Sequence, residues 1–167
     1  MINKVIFLDV DGVLNSKINM KIRRENGEST SSYYVKIPGD KIYKLKRIVD
    51  NTDAAIVLSS SWRIGYSRSS MTPSPAFMNL VNQLEPYGLH IYDWTPLDKN
   101  RNRGYEIHKW LYGYKYANGY FPNYIILDDN IADLIPLHRG HIIKVNSLLG
   151  LQNEHVNIAV NILNSFQ

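Results

Sequence analysis

Three short apolar runs in this sequence end in side chains with oxygen or guanidinium chemistry. Phe7-Leu8 leads into Asp9-Val10-Asp11-Gly12-Val13, Val57-Leu58 into Ser59-Ser60-Ser61-Trp62-Arg63, and Ile126-Leu127 into Asp128-Asp129-Asn130. A single aspartate after a strand is commonly a turn or capping residue. Four on two strand ends are harder to house, because on neighbouring strands they repel one another unless a cation sits among them. An all-oxygen donor set of this kind suits Mg2+. The hydroxyls and the arginine of the second run suit a phosphoryl group, the guanidinium through a two-pronged contact. The chemistry indicated is metal-assisted handling of phosphate.

Those residues meet only if the runs become neighbouring strands. Lys4 to Leu8, Ala54 to Leu58, Leu89 to Tyr92, Tyr124 to Leu127 and His141 to Val145 are short and rich in β-branched residues. Continuous rather than alternating apolar character suits strands covered on both faces of a parallel sheet. Helical spacing lies between them. Asp40 to Asp50 sets Ile42, Leu45, Ile48 and Val49 on one face, with Asp40 as N-cap, and Pro75 to Leu84 opens with a proline. Arg103 to Leu111 and Leu151 to Phe166 follow, the last with Val156, Ile158, Ala159, Ile162 and Leu163 directed inward. The alternation predicts an α/β fold, a Rossmann-like three-layer sandwich on a mostly parallel five-stranded sheet, with ligands at the carboxyl ends of the strands.

The 167 residues suffice for one domain, predicted to span 1–167, and 44% hydrophobic residues supply its core. No run approaches a membrane span, and the short N-terminal apolar run is wrongly flanked for a signal peptide, so a cytoplasmic location and no membrane partner are expected. The absence of cysteine excludes thiolate catalysis and cysteine-ligated zinc. The net charge of +4 is unevenly placed: ten basic residues against five acids stand between the N-terminus and Arg47. The segment 15–39 is basic and polar. It is expected to be a solvated hairpin or loop, or a flap touching an anionic substrate. The aromatic stretch from Trp110 to Phe121 suggests base stacking or, more simply, packing of a helix end. His138 and His141 have no third ligand evident and are expected to be ordinary residues.

Asp9-Val10-Asp11-Gly12-Val13 resembles motif I of the haloacid dehalogenase (HAD) superfamily, whose usual form is DxDGT or DxDGV after an apolar strand. The hydroxyl after the second strand resembles motif II, and Asp128-Asp129 resembles the acidic motif IV, in the family's order. More narrowly, LSSSWR, the RGxEIxxWL stretch from Arg103 to Leu111, ILDD and Gly150-Leu151 resemble the small HAD domains of RNA-repair proteins and the phosphatase half of polynucleotide kinase-phosphatases.

The resemblance implies a role for each matching residue. Asp9 would be the nucleophile forming an aspartyl-phosphate, and Asp11 the acid and base serving the leaving group and the water. Mg2+ would be held by Asp9, Asp11 through its backbone carbonyl, Asp128 and Asp129. Ser59 would be the motif II hydroxyl, with Ser60 or Ser61 taking that part if the strand runs longer. Arg63 would contact the substrate phosphate. The motif III cation would be Arg103, with Lys99 and Arg101 as alternatives, and Asp133 fits a DxxxD variant of motif IV. The 15–39 insertion has room only for an enlarged flap, so the fold would be essentially capless, with a site open to bulky substrates. The implied function is a Mg2+-dependent phosphomonoesterase acting on RNA or DNA phosphate ends or on nucleotides. The competing expectations are a catalytically idle HAD fold that binds a nucleotide or protein and a receiver-type signalling domain. The latter fits poorly, since the third strand ends Tyr92-Asp93 and no lysine directly follows the fifth.

Overall fold

A computed structural model of the chain describes residues 2–65 and 72–165. Five strands, β1 (Lys4–Leu8), β2 (Ala55–Leu58), β3 (Ile91–Trp94), β4 (Asn123–Asp128) and β5 (Ile142–Lys144), form one sheet in the order β3-β2-β1-β4-β5. Every strand pair is parallel. The fold is thus α/β and Rossmann-like. Its order differs from the 2-1-3-4-5 order of receiver domains, which removes that reading.

The helices are α1 (Lys17–Glu25), α2 (Gly39–Thr52), α3 (Pro75–Leu84), α4 (Arg103–Asn118), α5 (Ile135–His138) and α6 (Asn153–Asn164). The strands alternate their apolar side chains between the two faces. Ile6, Leu8, Ile56, Leu58, Ile125 and Leu127 pack under α2, α3 and α6. Val5, Phe7, Val57 and Ile126 pack under α4 with Ile107, Trp110 and Leu111. Fully burying one such side chain contributes about 1.5–3 kcal/mol, so a sheet covered on both faces is what holds the strand ends in place.

Several elements depart from the sequence-based expectation. β3 begins later than predicted, at Ile91, because Leu89 is already buried in the preceding turn. Asp40 does not cap α2: the cap position is Pro38, and Asp40 lies in the first turn, paired with Lys44. Ile158 is 46% exposed, since it stands about 200° around α6 from buried Val156. The predicted end of that helix at Phe166 lies outside the described residues. α4 runs on to Asn118 and stops at Gly119, so Trp110 and Tyr114 stack inside it, while the Tyr114 hydroxyl donates to the Ile2 carbonyl. Trp110, Tyr114 and half-buried Tyr120 are therefore packing, while Tyr112, Tyr116 and Phe121 are exposed.

The segment read as a hairpin or loop contains α1. Ser16 caps it by accepting from the Asn19 amide, and Arg23 and Arg24 sit in its last turn, where they complement the helix dipole. None of its residues is buried. Among the described residues, no inserted domain stands over the strand ends, and no helix is long and apolar enough to cross a membrane.

His138 ties α5 to the first turn of α4. Its Nε2–H donates to the Gly104 carbonyl at 2.9 Å, and its Nδ1 accepts from the Tyr124 hydroxyl at 3.0 Å, which fixes a neutral tautomer. Burial pushes the imidazole below its ordinary value of 6.5. The unfolded chain therefore takes up this proton first, and the contribution of His138 to stability is present above about pH 6.5 and lost as pH falls toward its folded value. Heteronuclear NMR of the ring is expected to show Nε2 protonated and Nδ1 bare at pH 6.5. A doubly protonated ring there would contradict this.

Candidate active site

The order of the sheet reverses direction between β1 and β4, and the carboxyl ends of those two strands are where ligands collect in such folds. Asp9 follows β1, its amide donating to Leu127 O at 3.0 Å, while Asp128 closes β4. One carboxylate oxygen from each of Asp9, Asp128 and Asp129 lies within 4.8 Å of the others. Two glycines allow this closeness. Gly12, at φ 82°, would carry a Cβ only 2.4 Å from Asp129 Cγ, and a Cβ on Gly104 would lie 2.2 Å from the Asp133 carbonyl. The second contact lets the first turn of α4 close onto the turn that follows β4.

Arg103 is the first residue of α4, directly after the capping residue Asn102. Its Nη1 meets Asp9 Oδ2 at 2.9 Å and also Asp128 Oδ2. Burial works against its charge, but the two carboxylates outweigh that and raise its pKa. Asp128 is pushed up to about 6, first by burial and then by Asp9, while Arg103 and the Asn130 amide pull it partly back. Asp129 is raised as well, by burial and then by Asp9. One arginine therefore leaves the three acids short of positive charge. An all-oxygen donor set with excess negative charge fits Mg2+. The carboxylates of Asp9, fully buried Asp128 and half-buried Asp129 are the donors that would hold it. The Asp11 carboxylate is not part of the cluster.

An open cleft of about 940 Å3 lies over these residues. Its floor has Asp9, Asp11, Asp129 and Arg103, and Asp133 also reaches it. Its rim is basic: Lys17 and Arg24 from α1 face it together with Arg101 from the loop before α4. Of the three candidates for the motif III cation, Arg103 touches the acids and Arg101 stands at the rim.

The expected phosphate-binding side chains of the second strand end are placed differently. Ser59 is fully buried with an unpartnered Oγ, and Ser60 Oγ accepts from the Trp62 amide in the 3-10 turn over Ser61–Arg63. Neither lines the cleft, whereas the exposed Ser61 does. Two residues separate the end of β2 from the turn, and the hydroxyl that emerges is that of the third serine. Arg63 is also corrected. It is 4% exposed and lies beneath the site, donating to the carbonyls of Ser59, Ser60 and Thr95 and paired with Glu106. Four donations leave its fork committed to the protein. Missed altogether were Trp62 and Asn15, whose donors reach Asp11.

No curated protein and no solved structure matches the chain. The family model described as the HAD domain in Swiss Army Knife RNA repair proteins matches residues 5–156, from β1 to the first turns of α6 and across every acid of the cluster. With the DxDG strand end, the acidic β4 end and the parallel sheet between them, the chain belongs to that HAD family of RNA-repair proteins.

Proposed function

We propose that the protein is a Mg2+-dependent phosphomonoesterase acting on the phosphate ends of polynucleotides or on nucleotides. The observation that carries this is the position of Asp9 at the base of the open cleft, in contact with Arg103 and beside Asp128 and Asp129, under a rim of Lys17, Arg24 and Arg101. Asp9 is the nucleophile: its carboxylate oxygen bonds to phosphorus as the ester P–O bond breaks, and Asp11 gives its proton to the departing oxygen. A water then bonds to phosphorus, the Asp9–phosphorus bond breaks, and Asp11 takes the proton back. Bound at Asp9, Asp128 and Asp129, Mg2+ would offset repulsion between the attacking carboxylate and the phosphate oxygens. Arg103 steadies Asp9 and Asp128, and Ser61 receives a phosphate oxygen.

The cleft is open, and Lys17, Arg24 and Arg101 line it in addition to Arg103, which favours an extended anion over a small ester. Phosphate release is to be measured from 3′- and 5′-phosphorylated RNA and DNA oligonucleotides, mononucleotides and a phosphopeptide, with Mg2+ and with EDTA. Release from oligonucleotide ends that requires Mg2+ and weakens with added salt is expected. Preference for mononucleotides would limit the reading to nucleotides, and release from none of them would overturn it.

A further inference from the structure

Asp11 stands at the cleft surface and is exposed, yet its carboxylate is not free to rotate. Its Oδ2 accepts from the indole Nε1–H of Trp62 at 2.8 Å, and its Oδ1 accepts from Asn15 Nδ2 at 2.8 Å. Both donors are rooted in the protein, Trp62 being 2% exposed and Asn15 3%. The Trp62 carbonyl accepts from Ser74 Oγ at 3.0 Å, and its amide is held by Ser60. Asn15 is fixed from the other side: its Oδ1 accepts from Asn19 Nδ2 at 3.0 Å, and Asn19 also donates to the Lys36 carbonyl at 3.1 Å.

The chemistry of these donors matters. An indole N–H can only donate, and so can the amide nitrogen of asparagine. Each therefore binds a lone pair of Asp11 whether or not the carboxyl carries a proton, and the proton must ride on one of the lone pairs left over. Two fixed donors on two oxygens set the plane of the carboxyl. In a site with no inserted domain above it, that orientation has to come from below, and a buried indole on the turn that also presents Ser61 supplies it.

We propose that Trp62 and Asn15 are positioning residues for Asp11, holding its carboxyl in one orientation through both proton transfers. The proposal rests on the phosphatase reading above. The carboxyl gives its proton to the oxygen of the breaking P–O bond and recovers one from the water whose oxygen bonds to phosphorus, without changing rotamer between the two. Lost orientation is costly even when every group is present, because small misplacements of a reacting group slow the step steeply.

The readout that separates positioning from a structural role is the leaving group. An alkoxide needs the proton, whereas p-nitrophenolate departs without one. Trp62→Phe keeps an aromatic ring and removes the N–H. Its kcat/KM, which covers the steps up to departure of the leaving group and leaves out hydrolysis of the phosphoenzyme, is expected to fall about tenfold or more on the alkyl phosphate ester that the protein turns over fastest, part of what general acid catalysis contributes. On p-nitrophenyl phosphate kcat/KM should stay within about twofold, while kcat, which includes the proton transfer from water, falls on both esters. Asn15→Ala should show the same split, and it decides the matter if thermal unfolding shows that Trp62→Phe has lost its fold. Equal losses in kcat/KM on both esters, or none on either, overturn the proposal while Asp9-dependent release keeps the phosphatase reading standing. If the wild-type protein releases phosphate from neither ester, the phosphatase reading falls and the proposal falls with it.

Discussion

Asp9→Asn is expected to lower phosphate release by about 10³-fold or more with the fold intact, as removal of a nucleophile does. The amide matches the carboxylate in shape but cannot form the phosphoenzyme. The geometry also says why the variant should fold. Asp9 contacts Arg103 at 2.9 Å, yet Arg103 keeps Asp128, which it also touches. Asp9 is also one of the charges that push Asp128 and Asp129 upward, so its loss relieves repulsion as well as removing a contact. The two changes oppose, and the thermal midpoint without metal is expected within about 3 °C of wild type, the equivalent of roughly 1 kcal/mol. A folded variant that still turns over would mean that another group attacks phosphorus. A folded, inactive variant that no longer traps 32P from a labelled substrate places the nucleophile at Asp9.

The parts of this arrangement that were legible in the sequence share one property: they are dictated locally. β1 is legible at its observed boundaries because Val5 to Leu8 are apolar and buried, and the DxDG and DD runs stand where such strands must end. Arg103 is legible because Gly104-Tyr105-Glu106-Ile107 reads as the start of a helix, which is where α4 begins. What was not legible depended on how one segment lies against another. A run of three serines does not say which one emerges; that is set by where β2 stops and the 3-10 turn begins. α1 buries no residue: Ile18 and Ile22 stay exposed and only Met20 leans on the core, so what marks it best is the Ser16 cap and the basic last turn. The bond from Trp62 to Asp11 spans 51 positions and joins two strand ends that meet only through the β1–β2 pairing.

Arg63 is the sharpest test of that difference. In the sequence it resembled a substrate contact, and in the structure it is a post beneath the site, so the two readings predict different losses. Arg63→Met is expected to destabilise the protein by about 3–5 kcal/mol, the usual result of removing one partner from a buried pair. The substitution strands the Glu106 carboxylate, whose side chain is 4% exposed, and deprives the Ser59, Ser60 and Thr95 carbonyls of a donor. Glu106 also accepts from the Asp98 amide, so the pair ties the loop after β3 to α4, the helix that presents Arg103 to Asp9. Burial pulls the Arg63 guanidinium below its ordinary value and Glu106 restores only part of it, so the pair tolerates little further loss of partners. A fall in thermal midpoint of roughly 10 °C is expected. Arg63→Met with Glu106→Leu should recover part of it, because an apolar pair leaves no charge stranded. A substrate-contacting arginine would give the opposite pattern, an unchanged midpoint and a raised KM, and the double variant would recover nothing. The loss of turnover expected of Arg63→Met therefore tracks its loss of fold, through Glu106 of α4 and the Arg103 which that helix presents.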